Sequence, residues 1–243
     1  MDDDQKPDPR AQAQAEKAAR QAYAEKTEKL AAIIKPLRSA AYEVDMDWRW
    51  FHKHLTEMGN DYGGLEFNPD FQRGHVWTPE QQTHFIENIL RGVVSSSGFL
   101  IQFNCPNWDN HDYKGELPRG FQCIDGLQRI TAVMKFLNGE IKPFGLHVDD
   151  LDGSSFSIRS KYRFRVAIHN FERKFDLLSH YLDINAGGTP HSASELERVR
   201  AMRAASKATA SNPADAQGAD GDQAADASDN DIKATKKSRK LSP

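Results

Sequence analysis

The pattern of apolar and polar positions divides the chain into three stretches, and only the middle one is apolar enough to build a core. Residues 10 to 35 consist mainly of Ala, Gln, Glu, Lys and Arg, all good helix formers, but Tyr23, Leu30, Ile33 and Ile34 cluster late and make no sustained heptad. The pattern predicts a solvated helix, ended or kinked at Pro36, that serves either as a plain polar arm or as an oligomerisation or partner-binding arm. From residue 207 onward Ile232 and Leu241 are the only large apolar side chains, and the segment closes on Lys236, Lys237, Arg239 and Lys240. Such a composition buries too little surface to offset its ordering entropy, so a disordered tail with a basic end is expected. The organisation read from this is an arm at 1–41, a folded domain at 42–204 and a tail at 205–243, the middle part being the right size for one α/β domain.

Inside that domain, Val44, Met46, Trp48, Trp50, Phe51 and Leu55 predict a short strand and then a helix near residues 47 to 57, with turn chemistry from Asn60 to Gly64. Leu65 to Trp77 reads as an extended segment that delivers Arg73 between large aromatics. Thr78-Pro79-Glu80-Gln81 combines an N-cap, a proline at the first helical position and a capping-box glutamine; Phe85, Ile86, Ile89 and Leu90 form the inner face and Gly92 the stop. Phe99 to Phe103 is a buried strand by length and flanks. The polar excursion from Asn107 to Gly120 is either a functional loop or a tolerated insertion. Phe121 to Ile124 forms the next strand and leads into a helix with Ile130, Val133, Met134 and Leu137 on one face, closed by Gly139. Asp125 and Gln128, three apart, make a second capping-box pattern. Lys161 to Ile168 alternates as a half-buried strand whose outer face carries Arg163 and Arg165. Phe171 to Leu182 reads as a helix with Phe175, Leu178 and Leu182 inward. Ser192 to Glu195 opens a last helix expected to fray after about Arg203. These elements predict an α/β (α+β) fold, a small mixed sheet with packed helices.

A net charge of −3 over 243 residues argues against a chain that coats nucleic acid by bulk electrostatics. Cys105 and Cys123 are too few for a disulfide framework, and no Cys or His spacing suggests zinc. No apolar run approaches a membrane span, and Met1-Asp2-Asp3-Asp4 is the opposite of a basic leader, so a cytoplasmic protein with no membrane partner is expected.

The candidate chemistry is narrowed by exclusion. The sequence has no GxxxxGK[ST] loop, HExxH pair or GxSxG elbow, His147 and His169 lack triad partners, and Asp149 to Gly153 lacks EF-hand spacing. Three segments remain. Phe71-Gln72-Arg73 precedes Val76-Trp77; Asp125-Gly126-Leu127-Gln128-Arg129 turns a strand into a helix; Asn185-Ala186-Gly187-Gly188-Thr189-Pro190 precedes Ser192 and Glu195. The second places backbone N–H groups, Gln128 and Arg129 at one helix N-terminus, a physical description of an anion site whose natural guest is a phosphate. The alternative is an ordinary capped helix with a surface arginine. Asp125 likewise has two possible jobs: an N-cap carboxylate, or a group that holds Mg²⁺ or orients water in phosphoryl transfer. Gly187 and Gly188 either let backbone approach a ligand or make a plain inter-helix turn.

Taken in order, the three segments resemble the ParB/sulfiredoxin-like N-terminal domain of the GmrSD-type modification-dependent restriction proteins, with its FQRxxVW, DGQQR and NTGGTPLS motifs, over roughly residues 44 to 203. The resemblance implies an α/β fold whose strand-to-helix turn binds nucleotide phosphates and, in several members, hydrolyses nucleoside triphosphate to control a nuclease. Carried over by position, it puts Asp125, Gln128 and Arg129 at the reaction centre, Arg73 as a phosphate clamp beside Gln72 and Gly126, and Asn185, Gly187, Gly188 and Thr189 along the same pocket; Mg²⁺ at Asp125 is the option that phosphoryl-transfer chemistry adds. Leu127, Ala186 and His191 depart from the family pattern; Leu127 removes an amide that would orient water, which leaves enzymatic activity open. The larger restriction proteins carry an HNH-type nuclease domain that nothing after Ser192 matches. A standalone sensor domain working with DNA and a separate nuclease or effector chain is therefore expected. A ParB-like metal-dependent nuclease and a non-catalytic DNA-binding or regulatory module are the competing readings.

Overall fold

Five strands form one mixed sheet in a computed structural model that describes residues 9–94, 99–158, 162–185 and 193–210. They are β1 (Tyr42–Asp47), β2 (Leu65–Glu66), β3 (Leu100–Asn104), β4 (Phe121–Asp125) and β5 (Arg163–His169). The order across the sheet is β1-β5-β3-β4-β2. β1 runs antiparallel to β5, β5 parallel to β3, β3 antiparallel to β4 and β4 parallel to β2. Six α-helices accompany the sheet among the described residues: α1 (Pro9–Ile34), α2 (Trp48–Tyr62), α3 (Pro79–Leu90), α4 (Leu127–Leu137), α5 (Lys174–Asn185) and α6 (Ala193–Ala210). The mixed α/β class expected from the sequence is the class observed.

Both faces of the sheet are covered. On one, Phe51 and Leu55 of α2, Ile86 and Ile89 of α3, and Val133 and Phe136 of α4 pack on Ile101, Phe103, Phe121 and Cys123. On the other, Leu177, Leu178 and Tyr181 of α5 and Val199 of α6 enclose Ile124 together with Phe71, Tyr113 and Leu117. Each such side chain, fully buried, contributes roughly 1.5–3 kcal/mol. Double coverage also explains β5: Arg163 and Arg165 face out, but Val166 to His169 are buried on both sides, so the expected alternation holds only in its first half. Arg165 is offset by Asp45 across the β1 pairing, at 3.3 Å.

The helix ends follow local chemistry where that chemistry is complete. Thr78 accepts from Gln81 N–H, Gln81 returns the bond, and Pro79 occupies the first turn, as the sequence predicts for α3. α2 extends to Tyr62, past the expected end near residue 57, because left-handed Gly63 supplies the stop and donates to Gly59 O at 2.9 Å. α6 continues to Ala210 instead of fraying near Arg203. Ser192, and the tail beyond Ala210, lie outside the described residues. Residues 12–30 of α1 are all exposed, Tyr23 among them, and so is Ile33 near its end. In the segment expected to be extended, only Leu65–Glu66 is strand, and a turn comes next in which Gln72 N–H donates to Pro69 O. No helix among the described residues is long and apolar enough to cross a membrane.

The polar excursion after β3 has a structural job. Asn107, completely buried, donates to Tyr62 O at 2.9 Å and accepts from Gly120 N–H at 2.9 Å, which ties the loop's two ends to α2. Tyr113 and Leu117 then close the second core.

A polar seam lies under α5. The Nε2 atoms of His169 and His180 sit 3.0 and 3.1 Å from the same oxygen, Gln102 Oε1, which can only accept, so both imidazoles carry their proton on Nε2. Burial, then the neighbouring His180 and Arg38, hold His169 down at about 4, and burial also lowers His180 against the pull of Asp183. The unfolded chain therefore binds more protons than the folded one between about pH 6.5 and 4. Stability is expected to be full above that window and to fall through it by up to about 3 kcal/mol as pH drops. Urea midpoints measured from pH 7.5 to 4.5 check this; a flat profile would mean that the pair titrates normally.

Candidate functional site

The site begins with a one-residue irregularity in β4. Gln102 faces Asp125 and Phe103 faces Cys123, so Ile124 is an extra residue with no partner across the ladder. Such a bulge bends the strand and re-aims the side chains beyond it. Ile124 turns into the second core, and the chain then reverses at Gly126 with φ 107° and ψ 0°.

That turn corrects the capping-box expectation. The N-cap of α4 is Gly126, and no side chain caps it. Asp125 is still in the strand, and its carboxylate pairs with the Arg129 guanidinium one turn into the helix. Arg129 also donates to Leu100 O at 3.0 Å, and its Nε is buried with no partner. Gln128 is occupied elsewhere. Its Oε1 accepts from Val76 and Trp77 N–H at 3.0 and 3.1 Å, and its Nε2 donates to Gly74 O at 2.7 Å. Gln128 thus clamps the loop after Arg73 onto α4.

Gln72 performs the matching task on the other side of Arg73. β2 pairs with β4 only as far as Gln122, which leaves the next carbonyls of that edge without a strand. Gln72 Nε2 donates to both, Cys123 O at 3.0 Å and Ile124 O at 2.8 Å, and so satisfies the bulge. Both of these bonds from the amide go to backbone. Arg73, held between these clamps, makes no hydrogen bond or ion pair among the described residues.

Arg73, Arg129, Asp125, Gly126 and the two glutamines line one cavity of about 420 Å³, so segments more than fifty residues apart converge there. Asn185 lines it as well, its Nδ2 turned back to Tyr181 O at 2.7 Å. Gly187, Gly188 and Thr189 lie outside the described residues. The wall that sequence reasoning missed is aromatic. Trp77, Phe85 and Phe99 line the cavity in a chain of ring contacts with centroids 5.2 and 5.0 Å apart. Their signal in the sequence was only that aromatics flank the arginine segment and the next helix. Gln82 of α3, buried, fixes Trp77 by donating to its carbonyl at 3.0 Å.

Nearby groups narrow the chemistry. Burial pushes the Tyr181 hydroxyl up to about 12, within the opposing fields of Arg73, Glu195, Arg198 and Asp125. Burial likewise raises both thiols, Cys105 to about 12, so neither is a nucleophile at neutral pH. Among the described residues no group of three or more His, Cys, Asp or Glu side chains gathers to hold a metal ion. What the cavity offers is a cationic, donor-rich end beside a flat aromatic one.

A family model described as GmrSD restriction endonuclease, N-terminal domain, matches residues 53–185, more than half of the chain. The match is narrower than the resemblance read from residues 44 to 203 and stops at Asn185. No curated protein and no solved structure matches the chain.

Proposed function

The chain belongs to the GmrSD restriction endonuclease N-terminal domain family, which implies a role in a restriction system, and on that premise we propose that it is a nucleotide-binding sensor domain. The observation that carries the reading is the convergence of Arg73 and Arg129 with the uncapped start of α4 beside the Trp77, Phe85 and Phe99 wall. Guanidinium groups and helix N–H donors suit phosphate; an aromatic face suits a base, because every base has a π-face to stack. The cavity volume is of the size that small-molecule sites occupy. Asp125 is the one carboxylate in the lining among the described residues, and it would hold a Mg²⁺, an ion that neutralises phosphoryl charge.

Leu127 lines the cavity where the family pattern has glutamine. With no amide there to orient water, this domain signals by occupancy, and turnover is slow or absent. Its output passes to a separate nuclease or effector chain that acts on DNA.

A thermal-shift panel of ATP, GTP, CTP and UTP, each with and without Mg²⁺, tests the reading. A ligand at 100 times its dissociation constant adds about 2.7 kcal/mol, a rise of roughly 5–10 °C for a domain of this size. Indifference to all four nucleotides would remove the proposal. Metal-dependent nicking of plasmid DNA, lost in Asp125→Ala, would replace it with a nuclease.

A further inference from the structure

Arg198, on the outer side of α6, donates to three successive backbone carbonyls: Asp70 O at 2.5 Å, Phe71 O at 3.2 Å and Gln72 O at 3.1 Å. The next residue is Arg73. Three carbonyl oxygens of one short segment turned toward a single guanidinium are a specific arrangement, since only a planar fork with several donors can serve them together. The segment has no strand to hold it, because β2 ended at Glu66. It is also tied by the Gln72 amide on β4, by an ion pair from Lys174 to Asp70 at 2.9 Å, by the Gln72 N–H bond to Pro69 O and by Phe71, which is buried in the second core. Arg198 therefore supplies the largest number of bonds to the backbone directly ahead of the arginine that has none of its own.

Its charge is also unspent. Arg173 and Arg200 pair with carboxylates, whereas the bonded partners of Arg198 among the described residues are the three carbonyls and the sulfur of Met202. Arg198 and Arg73 both act on the Tyr181 hydroxyl, which places α6 at the border of the same polar cluster as Asp125.

We propose that Arg198 is a positioning residue of the anion site: its grip on residues 70–72 fixes the backbone from which Arg73 projects, and α6 thereby sets the affinity for polyphosphate. The proposal rests on the nucleotide reading and adds a regulator to it. Whatever pulls α6 away from the sheet loosens Arg73 without touching the cavity, so a partner that engages α6 can release the ligand.

The test compares the full chain with Arg198→Ala and Arg198→Lys, using inorganic tripolyphosphate and ATP as probes and amide hydrogen exchange across residues 70–77 as the structural readout. Both variants are expected to exchange faster there and to bind tripolyphosphate about tenfold more weakly, lysine failing to rescue because one ammonium cannot serve three carbonyls. Weak binding in alanine with full recovery in lysine would assign the effect to charge alone and overturn positioning. Equal affinity in wild type and both variants would overturn the inference and leave the nucleotide reading intact. Absence of binding in wild type itself would remove both. If Arg198→Ala does not fold, Arg198→Lys and Arg198→Gln carry the comparison.

Discussion

Arg73→Ala is expected to melt at the wild-type temperature and to bind nucleoside triphosphate 10- to 100-fold more weakly, the largest separation of stability from binding that this site offers. The two halves have different causes. A side chain with no hydrogen bond or ion pair among the described residues is worth little to folding, and its removal belongs with surface changes of about ±0.5 kcal/mol. A charge-assisted bond from guanidinium to phosphate contributes about 1.5–3 kcal/mol, which sets the expected loss of affinity. Arg129→Ala should behave otherwise, losing binding and stability together, because it strands the Asp125 carboxylate and the Leu100 carbonyl. Scanning fluorimetry and ligand titration on both variants separate the two. Unchanged affinity in Arg73→Ala would place the phosphate site elsewhere.

Gly126→Ala should destabilise the domain by roughly 2–4 kcal/mol, with a melting temperature lower by about 5–15 °C. At φ 107° an L-residue is strained wherever it sits. Space is short too: an added Cβ would overlap Ile101 Cδ1 and lie 3.2 Å from Ile101 Cγ2. Ile101 is completely buried at the sheet centre, so it cannot swing out into solvent. The pair Gly126→Ala with Ile101→Val divides the loss, since trimming the isoleucine relieves the crowding but not the backbone strain. Equal stability of wild type and Gly126→Ala would mean that the turn relaxes to another conformation.

Local signals were legible in the sequence and distant ones were not. Thr78, Pro79 and Gln81 announce α3 because every partner in that cap lies within four residues. The same two-residue code failed at Asp125 and Gln128, where an intervening left-handed glycine moves the helix start one residue on and leaves Asp125 in the strand. Their company in a motif points to Gln72 and Arg73 as phosphate-binding and to Gln128 as part of the reaction centre. In the fold the two glutamines are bonded to backbone more than fifty residues away, contacts that no pattern of spacing reveals. The aromatic wall was hidden for a similar reason, since Phe85 and Phe99 read equally well as ordinary core positions. The convergence of Arg73 with Arg129 depends on the parallel pairing of β2 with β4 and on the two glutamine clamps that follow it, contacts between segments and not a property of either one.

The unpaired Ile124 works like an extra thread on a screw. Side chains along a strand alternate between faces, so shortening β4 by that one residue would rotate everything after it by half a turn. Asp125 would then point where Ile124 now points, among Leu178 and Tyr181, and its charge would be sealed under α5, away from Arg129. A chain of this fold can therefore exchange the residue at 124 for another apolar one, but it cannot lose the position without taking Asp125 out of the cavity.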